Sequence, residues 1–106
     1  MGKQKINELL NCLFAEITVG VVLYESVLPM TVSEIKRVSL CNKYSTEYIE
    51  QIIKNLIAYG LVFPHLEGGD FSKFTITEFG RYYYNKLSEQ NSDIRELMKQ
   101  IGDDLN

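Results

Sequence analysis

The sequence has few of the residues from which metal centres, disulfide frameworks and catalytic triads are built. It contains two cysteines, Cys12 and Cys41, in no CxxC arrangement, and one histidine, His65, without a metal-ligating partner at a useful spacing. We expect both cysteines to be reduced thiols, because a disulfide is unusual in the cytosol. No Ser/His/Asp set, paired carboxylates or phosphate-binding glycine loop is recognisable. The sequence therefore predicts no enzyme, no metal and no cofactor.

Long apolar runs are also absent. The longest, ITVGVVLY, has about eight residues, whereas a membrane helix needs roughly 20. In the N-terminal segment MGKQKINELL, polar residues follow the two lysines, where a signal peptide would have an apolar region. With 106 residues, 45% of them apolar and 24% charged, the composition is that of one ordinary globular domain. We expect a soluble cytoplasmic protein without a membrane partner.

An excess of positive charge is missing as well. The formal net charge of −3 argues against a general nucleic-acid binder. The charge is uneven, because residues 1–87 carry nine acidic and nine basic side chains, whereas residues 88–106 carry five and two. A neutral body can still present a basic face, and the geometry of that face decides phosphate binding.

Apolar periodicity predicts a mainly α-helical chain with a small β-hairpin, an α+β fold. Apolar residues spaced three or four apart from residue 4 to about 28 predict a long helix that Pro29 ends. Thr31 and Glu34 form a capping box at the start of a short helix. After the turn CNKYS, Ser45 or Thr46 caps a third helix, which runs to residue 59. Gly60 follows this helix and can take the left-handed conformation at its C-terminal end.

The second half predicts a hairpin and one long helix. LVFPHL and FSKFTIT form two strands around EGGD, and Pro64 leaves the first strand with an outer edge. Thr77 caps a helix that continues to the end of the chain. Its apolar positions have heptad-like spacing, with polar Asn91 in the seam.

Three segments in this order carry a family resemblance. They are TVSEIKRVSL as a support helix, STEYIEQIIKNLIAYGLV as a recognition helix, and FTITEFGRYY as the second wing strand with the following helix start. Together they resemble the winged helix-turn-helix DNA-binding proteins of the PadR and MarR type, including small archaeal and plasmid- or virus-borne members. The resemblance covers residues 17–87 of a single domain, with a helical extension at 1–16 and a dimerisation helix at 88–106.

The resemblance implies that the recognition helix and its surroundings bind double-stranded DNA. The first two turns of such a helix enter the major groove, where Gln pairs with adenine and hydroxyl groups reach phosphates or base edges. The polar candidates are Tyr44, Ser45, Thr46, Tyr48, Gln51 and Ser72. The basic candidates for phosphate are Lys36, Arg37, Lys43, Lys54, Lys73 and Arg81. The alternative is a solvated polar face of the kind that most helices have.

Acidic residues interrupt this surface. Glu47 in the first turn stabilises the helix dipole by about 0.3–1 kcal/mol. Glu50 precedes Lys54 by four residues, the favourable orientation for an ion pair, although a glutamate also accepts from cytosine N4. These structural roles predict weak non-specific binding, because few positive charges then face phosphate.

The wing and the RYYYN segment depart from simple DNA-binding patterns. Wings that enter the minor groove usually carry Arg or Lys, whereas EGGD is acidic, so we expect His65, Ser72 or Lys73 to approach the backbone instead. For His65, an ordinary half-exposed strand position is the alternative. The three tyrosines of RYYYN fan out around a helix, which favours packing against the first helix over stacking on single-stranded bases.

Extra helix length at both ends predicts a homodimer. The apolar stripes are too long for one small domain to cover, and an exposed stripe usually marks an interface. The candidate dimerisation residues are Leu9, Leu13, Leu87, Ile94, Met98, Ile101 and Leu105. A two-fold dimer places two recognition helices about 34 Å apart, matching successive major grooves, and Asn91 is expected to set the register. A monomer with its tail folded onto itself is the alternative.

Three functions are compatible with these patterns. The leading hypothesis is a homodimeric, sequence-specific DNA-binding protein, most simply a transcriptional repressor. A plasmid or chromosome segregation protein, or a chromatin-like protein, that coats a longer site shares every local feature. A winged helix used as a protein-interaction module belongs to a different class and is favoured by Glu47, Glu50 and the acidic wing.

Overall fold

Seven elements of secondary structure follow one another in the described chain, as a computed structural model gives it. They are α1 (Lys3–Glu25), α2 (Val32–Arg37), α3 (Thr46–Ala58), β1 (Val62–His65), β2 (Lys73–Ile76), α4 (Glu78–Gln90) and α5 (Ser92–Leu105). The structure describes residues 3–65 and 72–106, with side chains from residue 13 onward. The predicted turn EGGD, the side chain of Leu9 and the thiol of Cys12 lie outside the described residues. The mainly helical α+β class is confirmed.

Side-chain caps start α2 and α3 where the sequence predicts them. The Thr31 hydroxyl accepts from the Glu34 amide at 3.2 Å, and the Glu34 carboxylate accepts from the Thr31 amide at 2.9 Å. Ser45 caps α3, its hydroxyl accepting from the Tyr48 amide at 3.1 Å. Gly60 follows α3 with a φ of 79°, a left-handed conformation that glycine adopts without strain.

The start of α4 is fastened to the end of α3. The Thr77 hydroxyl accepts from the Gly80 amide at 2.8 Å and donates to the Gly60 carbonyl at 2.7 Å. The Thr77 amide donates to the Leu61 carbonyl at 3.0 Å. A Cβ atom on Gly80 would lie 2.3 Å from that same carbonyl oxygen, so only glycine fits here. Residues 60–62 after α3 and residues 77–80 at the start of α4 are therefore held together by hydrogen bonds.

A third chain segment extends the hairpin. β1 and β2 are antiparallel, with Val62 opposite Ile76 and His65 opposite Lys73. Met30, between α1 and α2, bridges Phe74 through two backbone hydrogen bonds of 3.1 and 2.8 Å. The sheet order is therefore Met30, β2, β1, and the hairpin is attached to the residue that precedes the Thr31 cap of α2. A single bridging residue has no periodicity, so sequence patterns do not predict it.

The core lies where α1, α3 and α5 pack together. Its fully buried side chains include Val19, Val22, Ile35, Ile49, Ile53 and Leu56. Tyr84 of α4 is also buried and packs against Gly20, where an added Cβ would lie 1.7 Å from the tyrosine oxygen. Tyr82 and Tyr83 stay exposed. The predicted fan of tyrosines is confirmed, with one of the three packing against α1.

The C-terminal region differs from the prediction. Instead of one long helix, the chain breaks at Asn91, whose side chain accepts from the Asp93 amide at 3.0 Å and caps α5. An Asn side chain competes with helical backbone hydrogen bonds, which explains the break. α5 then folds back on α1 and buries Ile94, Met98 and Ile101. The expectation of an exposed apolar stripe is therefore wrong for α5.

Two flanking positions and the helix end also need correction. Leu87 and Leu105 are half-buried against the same core instead of facing outward in a seam. Asn91 acts as a cap and not as a register residue, because its backbone is extended. The first helix is also shorter than predicted: α1 ends at Glu25, earlier than residue 28, and the Ser26 hydroxyl donates to the Leu28 carbonyl at 2.5 Å.

The described residues hold no clustered metal ligands and no membrane-spanning helix. No helix among them is long and apolar enough to cross a bilayer. No three His, Cys, Asp or Glu side chains in the described ranges come together as a metal site would require. Cys41 is a free, buried thiol, and burial raises its pKa to about 11.

Candidate nucleic-acid interface

The turn between α2 and α3 is held by a lysine and lined by tyrosines. The Lys36 ammonium donates to the backbone carbonyls of Asn42 at 3.3 Å and Tyr44 at 2.5 Å. The Tyr44 ring meets the Tyr48 ring edge-on at 5.5 Å, and Lys43 lies 5.4 Å from the Tyr44 centroid. Partial burial raises the pKa of the Tyr44 phenol. Lys36 therefore fastens the turn, whereas we predicted that it binds phosphate.

The outward face of α3 carries the polar residues that the sequence assigns to DNA. Thr46, Tyr48 and Gln51 are exposed on its first two turns. The Gln51 amide nitrogen lies 3.2 Å from the Asn55 side-chain oxygen on the next turn. Ile49, Ile52, Ile53 and Leu56 hold the opposite face in the core. The structure thus leaves all three of these predicted residues exposed, while the apolar face of α3 is buried.

A groove of about 580 Å³ lies between the start of α2, α3 and the hairpin. Its apolar floor is formed by Val32, Ile53, Ile57, Pro64 and Phe74. Its polar lining is formed by Thr31, Ser33, Thr46, Glu50, Lys54 and Ser72. Three predicted DNA-binding residues, Thr46, Lys54 and Ser72, therefore share one concave site.

Glu50 and Lys54 do not form the predicted ion pair. Among the residues that the structure describes, the single ion pair joins Lys86 and Glu89 at 3.5 Å. Both Glu50 and Lys54 are exposed and line the groove. The structure therefore leaves one negative and one positive group side by side above an apolar floor.

Three of the predicted basic residues lie away from this groove. Strand alternation directs Lys73 to the face of β2 opposite Phe74. There it adds to the effects that lower the Glu34 pKa, of which the hydrogen bond from the Thr31 backbone is the largest and Arg37 another. Arg37 is exposed at the end of α2. Arg81 lies over the Tyr24 ring of α1 at 5.6 Å, on the α1 side of α4.

His65 has ordinary strand contacts. Its Nε2 atom lies 2.8 Å from the Thr75 hydroxyl, and its ring meets the Phe63 ring edge-on at 5.1 Å. Neither neighbour is a second metal ligand or a charged group that could make the imidazole a catalytic base. The half-buried position agrees with the ordinary strand alternative.

A contact between the tail and the turn was not predicted. Asp104 of α5 accepts from the Ser39 amide at 2.9 Å and from the Ser39 hydroxyl at 3.2 Å. The carboxylate thus holds the chain just after α2, at the start of the turn that leads to α3. The two residues are 65 positions apart, and no local pattern signals such a contact.

No protein-family model, curated protein or solved structure matches this chain. The functional inference therefore comes from the turn, the outward face of α3 and the groove beside it.

Proposed function

We propose that this chain is a winged helix-turn-helix protein that binds specific double-stranded DNA sequences as a homodimer and acts as a transcriptional repressor. The observation that carries the proposal is the attachment of the hairpin to the helix pair through Met30 and Phe74. Because Met30 directly precedes the capped start of α2, the hairpin has a defined position relative to α2 and α3. A duplex that receives α3 can then touch the hairpin as well.

The surface chemistry of α3 supports base contacts more than general phosphate binding. Thr46, Tyr48 and Gln51 are polar and exposed. The side-chain amide of a glutamine such as Gln51 can make two hydrogen bonds to adenine. Lys43 in the turn before α3 and Arg37 at the end of α2 are exposed cations suited to phosphate. Few cations together with several polar groups predict modest non-specific affinity and stronger dependence on sequence.

A dimer is proposed through the N-terminal part of α1. Leu13 is 54% exposed and Phe14 46% exposed, which leaves apolar area on this helix uncovered within the chain. A second copy of α1 is the proposed occupant, because a two-fold axis gives the spacing of successive major grooves. Light scattering of the wild type and of Leu13→Asp tests this, and a monomeric wild type contradicts it.

A protein-interaction module is the second candidate, and exposed aromatic residues favour it. Phe79 and Tyr82 on α4 are more than half exposed and do not line the groove beside α3. Glu47 and Glu50 are exposed on α3, where they oppose phosphate. A segregation or chromatin-like protein is a variant of the DNA-binding proposal. Such a protein would spread along the duplex, whereas a repressor would occupy one site.

The deciding experiment measures binding to random and genomic duplexes at several salt concentrations. We expect selected sequences to bind tightly, with the logarithm of affinity falling linearly with the logarithm of salt concentration. Footprints that grow with protein concentration would indicate coating instead of occlusion of one site. Absence of binding at low salt contradicts the DNA proposal and leaves the protein-interaction module.

A further inference from the structure

The groove beside α3 has the dimensions and lining of a small-molecule site. Ligand sites typically occupy about 300–1,000 Å³ and combine an apolar lining with a few placed polar groups. This groove, at about 580 Å³, has Ile53, Ile57 and Phe74 in its floor. DNA is a poor partner for that floor, because a sugar-phosphate backbone offers little apolar surface.

The two charges in the groove have no partner among the described residues. Glu50 and Lys54 are one helical turn apart, so their Cβ atoms are about 5–6 Å apart. Neither forms a hydrogen bond or an ion pair with another described residue. Glu50 is also unfavourable for DNA, because its carboxylate repels phosphate. A ligand that carries both charges would pair with Lys54 and also with Glu50, for which the DNA proposal gives no role.

We propose that this groove binds a small amphipathic zwitterion, namely an amino acid with a large apolar side chain. Its ammonium group lies at the Glu50 carboxylate, and its carboxylate lies at the Lys54 ammonium. The ligand's two charged groups are attached to one carbon, which matches two neighbouring side chains of opposite charge. Its apolar side chain covers Ile53, Ile57 and Phe74 in the floor.

The ligand would regulate DNA binding, and this consequence rests on the proposed function. Thr46 and Lys54 belong both to the groove and to the predicted DNA surface. A ligand that covers them excludes the duplex from this side of α3. The ligand site itself does not depend on DNA, so the two proposals can fail separately.

Tryptophan and its analogues test the site directly. The chain contains no tryptophan, so the emission of an added indole reports its binding without interference. The probes are L-tryptophan with both charges, tryptamine with the ammonium alone, and indole-3-propionate with the carboxylate alone. We expect saturable binding of L-tryptophan, and about tenfold weaker binding of each analogue through loss of a charge-assisted hydrogen bond.

Two variants assign the charges and a third serves as a control. Glu50→Gln should weaken L-tryptophan and tryptamine by about tenfold and leave indole-3-propionate within about twofold. Lys54→Gln should weaken L-tryptophan and indole-3-propionate instead. Glu47→Gln removes a carboxylate from the same helix, outside the groove lining, and should change nothing. Thermal unfolding of each variant verifies that it is folded.

The outcomes separate the two proposals. No saturable binding of L-tryptophan at millimolar concentration overturns the ligand site, and so does an affinity that Glu50→Gln leaves unchanged. If L-tryptophan binds but no duplex does, the ligand site stands and the DNA function falls. If both bind, L-tryptophan should lower the DNA affinity of the wild type, and Glu50→Gln should need about tenfold more L-tryptophan for the same effect.

Discussion

Helices α3 and α5 have the same kind of buried apolar stripe but differ in the solvent-exposed face on the opposite side of the helix. α3 buries Ile49, Ile52, Ile53 and Leu56, and α5 buries Ile94, Leu97, Met98 and Ile101, both on the core that α1 shares. On the outward side, α3 presents hydroxyl and amide groups and a groove. The outward side of α5 carries Glu96 and Asp103, which repel phosphate as Glu47 and Glu50 of α3 do, together with Lys99 and Gln100. An apolar stripe therefore shows only that a helix packs on the core. The side chains on the opposite face of that helix indicate which partner it can contact.

The largest effect should come from the buried stripe of α5. Ile101 is 1% exposed, so Ile101→Ala should lower the free energy of unfolding by about 2–5 kcal/mol through lost burial and a cavity. Ile53→Ala should cost a similar amount, because α3 is buried to the same degree. Urea unfolding measures both.

A dimerisation helix would behave differently. The Ile101→Ala loss should be the same at low and high protein concentration, because the side chain is covered within one chain. A loss that disappears when the protein is diluted would show that α5 is stabilised by a second copy and would break the comparison.

The next effect separates the outer faces of the two helices. Gln51→Ala on α3 should reduce discrimination at one base pair by about 1–3 kcal/mol. Gln100→Ala on α5 is the matched control, since it removes the same exposed amide from the other helix. Selection from random duplexes measures the preferred site of each variant. An unchanged site for Gln51→Ala would remove α3 as the reader.

A basic residue in the turn should affect all duplexes alike. Lys43→Ala should weaken selected and random sequences by the same factor and reduce the salt slope by about one, because a single phosphate contact is lost. Lys99→Ala on α5 removes an exposed cation from the other helix and should leave both quantities unchanged. Titrations at several salt concentrations provide the slopes.

Loss of the cap between α4 and α5 should have a smaller effect. Asn91→Ala removes the acceptor for the Asp93 amide and should lower the free energy of unfolding by about 0.5–2 kcal/mol. Asn91→Asp retains an acceptor and should recover most of the loss. Equal losses in the two variants would mean that the extended backbone, not the side-chain cap, separates the helices.

The smallest effect concerns the pH dependence of the α2 cap. The pKa of Glu34 is lowered first by the hydrogen bond from the Thr31 backbone, so its contribution to stability is present above the ordinary pKa of 4.5 and lost as the pH falls below it. Glu34→Gln should therefore lower the thermal midpoint slightly at pH 7, and the difference should shrink at pH 3. A difference that grows on acidification contradicts this assignment.

Local patterns predicted the parts of this fold that depend on neighbours in the chain. The capping box at Thr31, the Ser45 cap, the left-handed Gly60 and the Thr77 cap are all confirmed. Each is decided within about four residues, because a cap needs one side chain and one nearby amide. The inward face of α3 follows from the helical period for the same reason.

The candidate site was predictable only in part. The sequence placed the candidates Thr46, Tyr48 and Gln51 on the first two turns of the third helix, and all three are exposed. It did not identify that Lys36 would donate to carbonyls of the turn or that Glu50 and Lys54 would form no ion pair. Nor did it identify that Phe74 would complete a groove with α3. These outcomes depend on side-chain reach and on which elements come together, and neither is encoded in spacing along one helix.

The sequence by itself determined α2, α3, the caps at Thr31, Ser45 and Thr77 and the α+β class, because these depend on hydrogen bonds and apolar spacing over a few residues. Only the tertiary structure decided that α5 folds back on α1, that Met30 joins the sheet and that a groove opens beside α3. Those features join residues far apart in the chain, and an apolar stripe has the same pattern whether its own chain or another covers it.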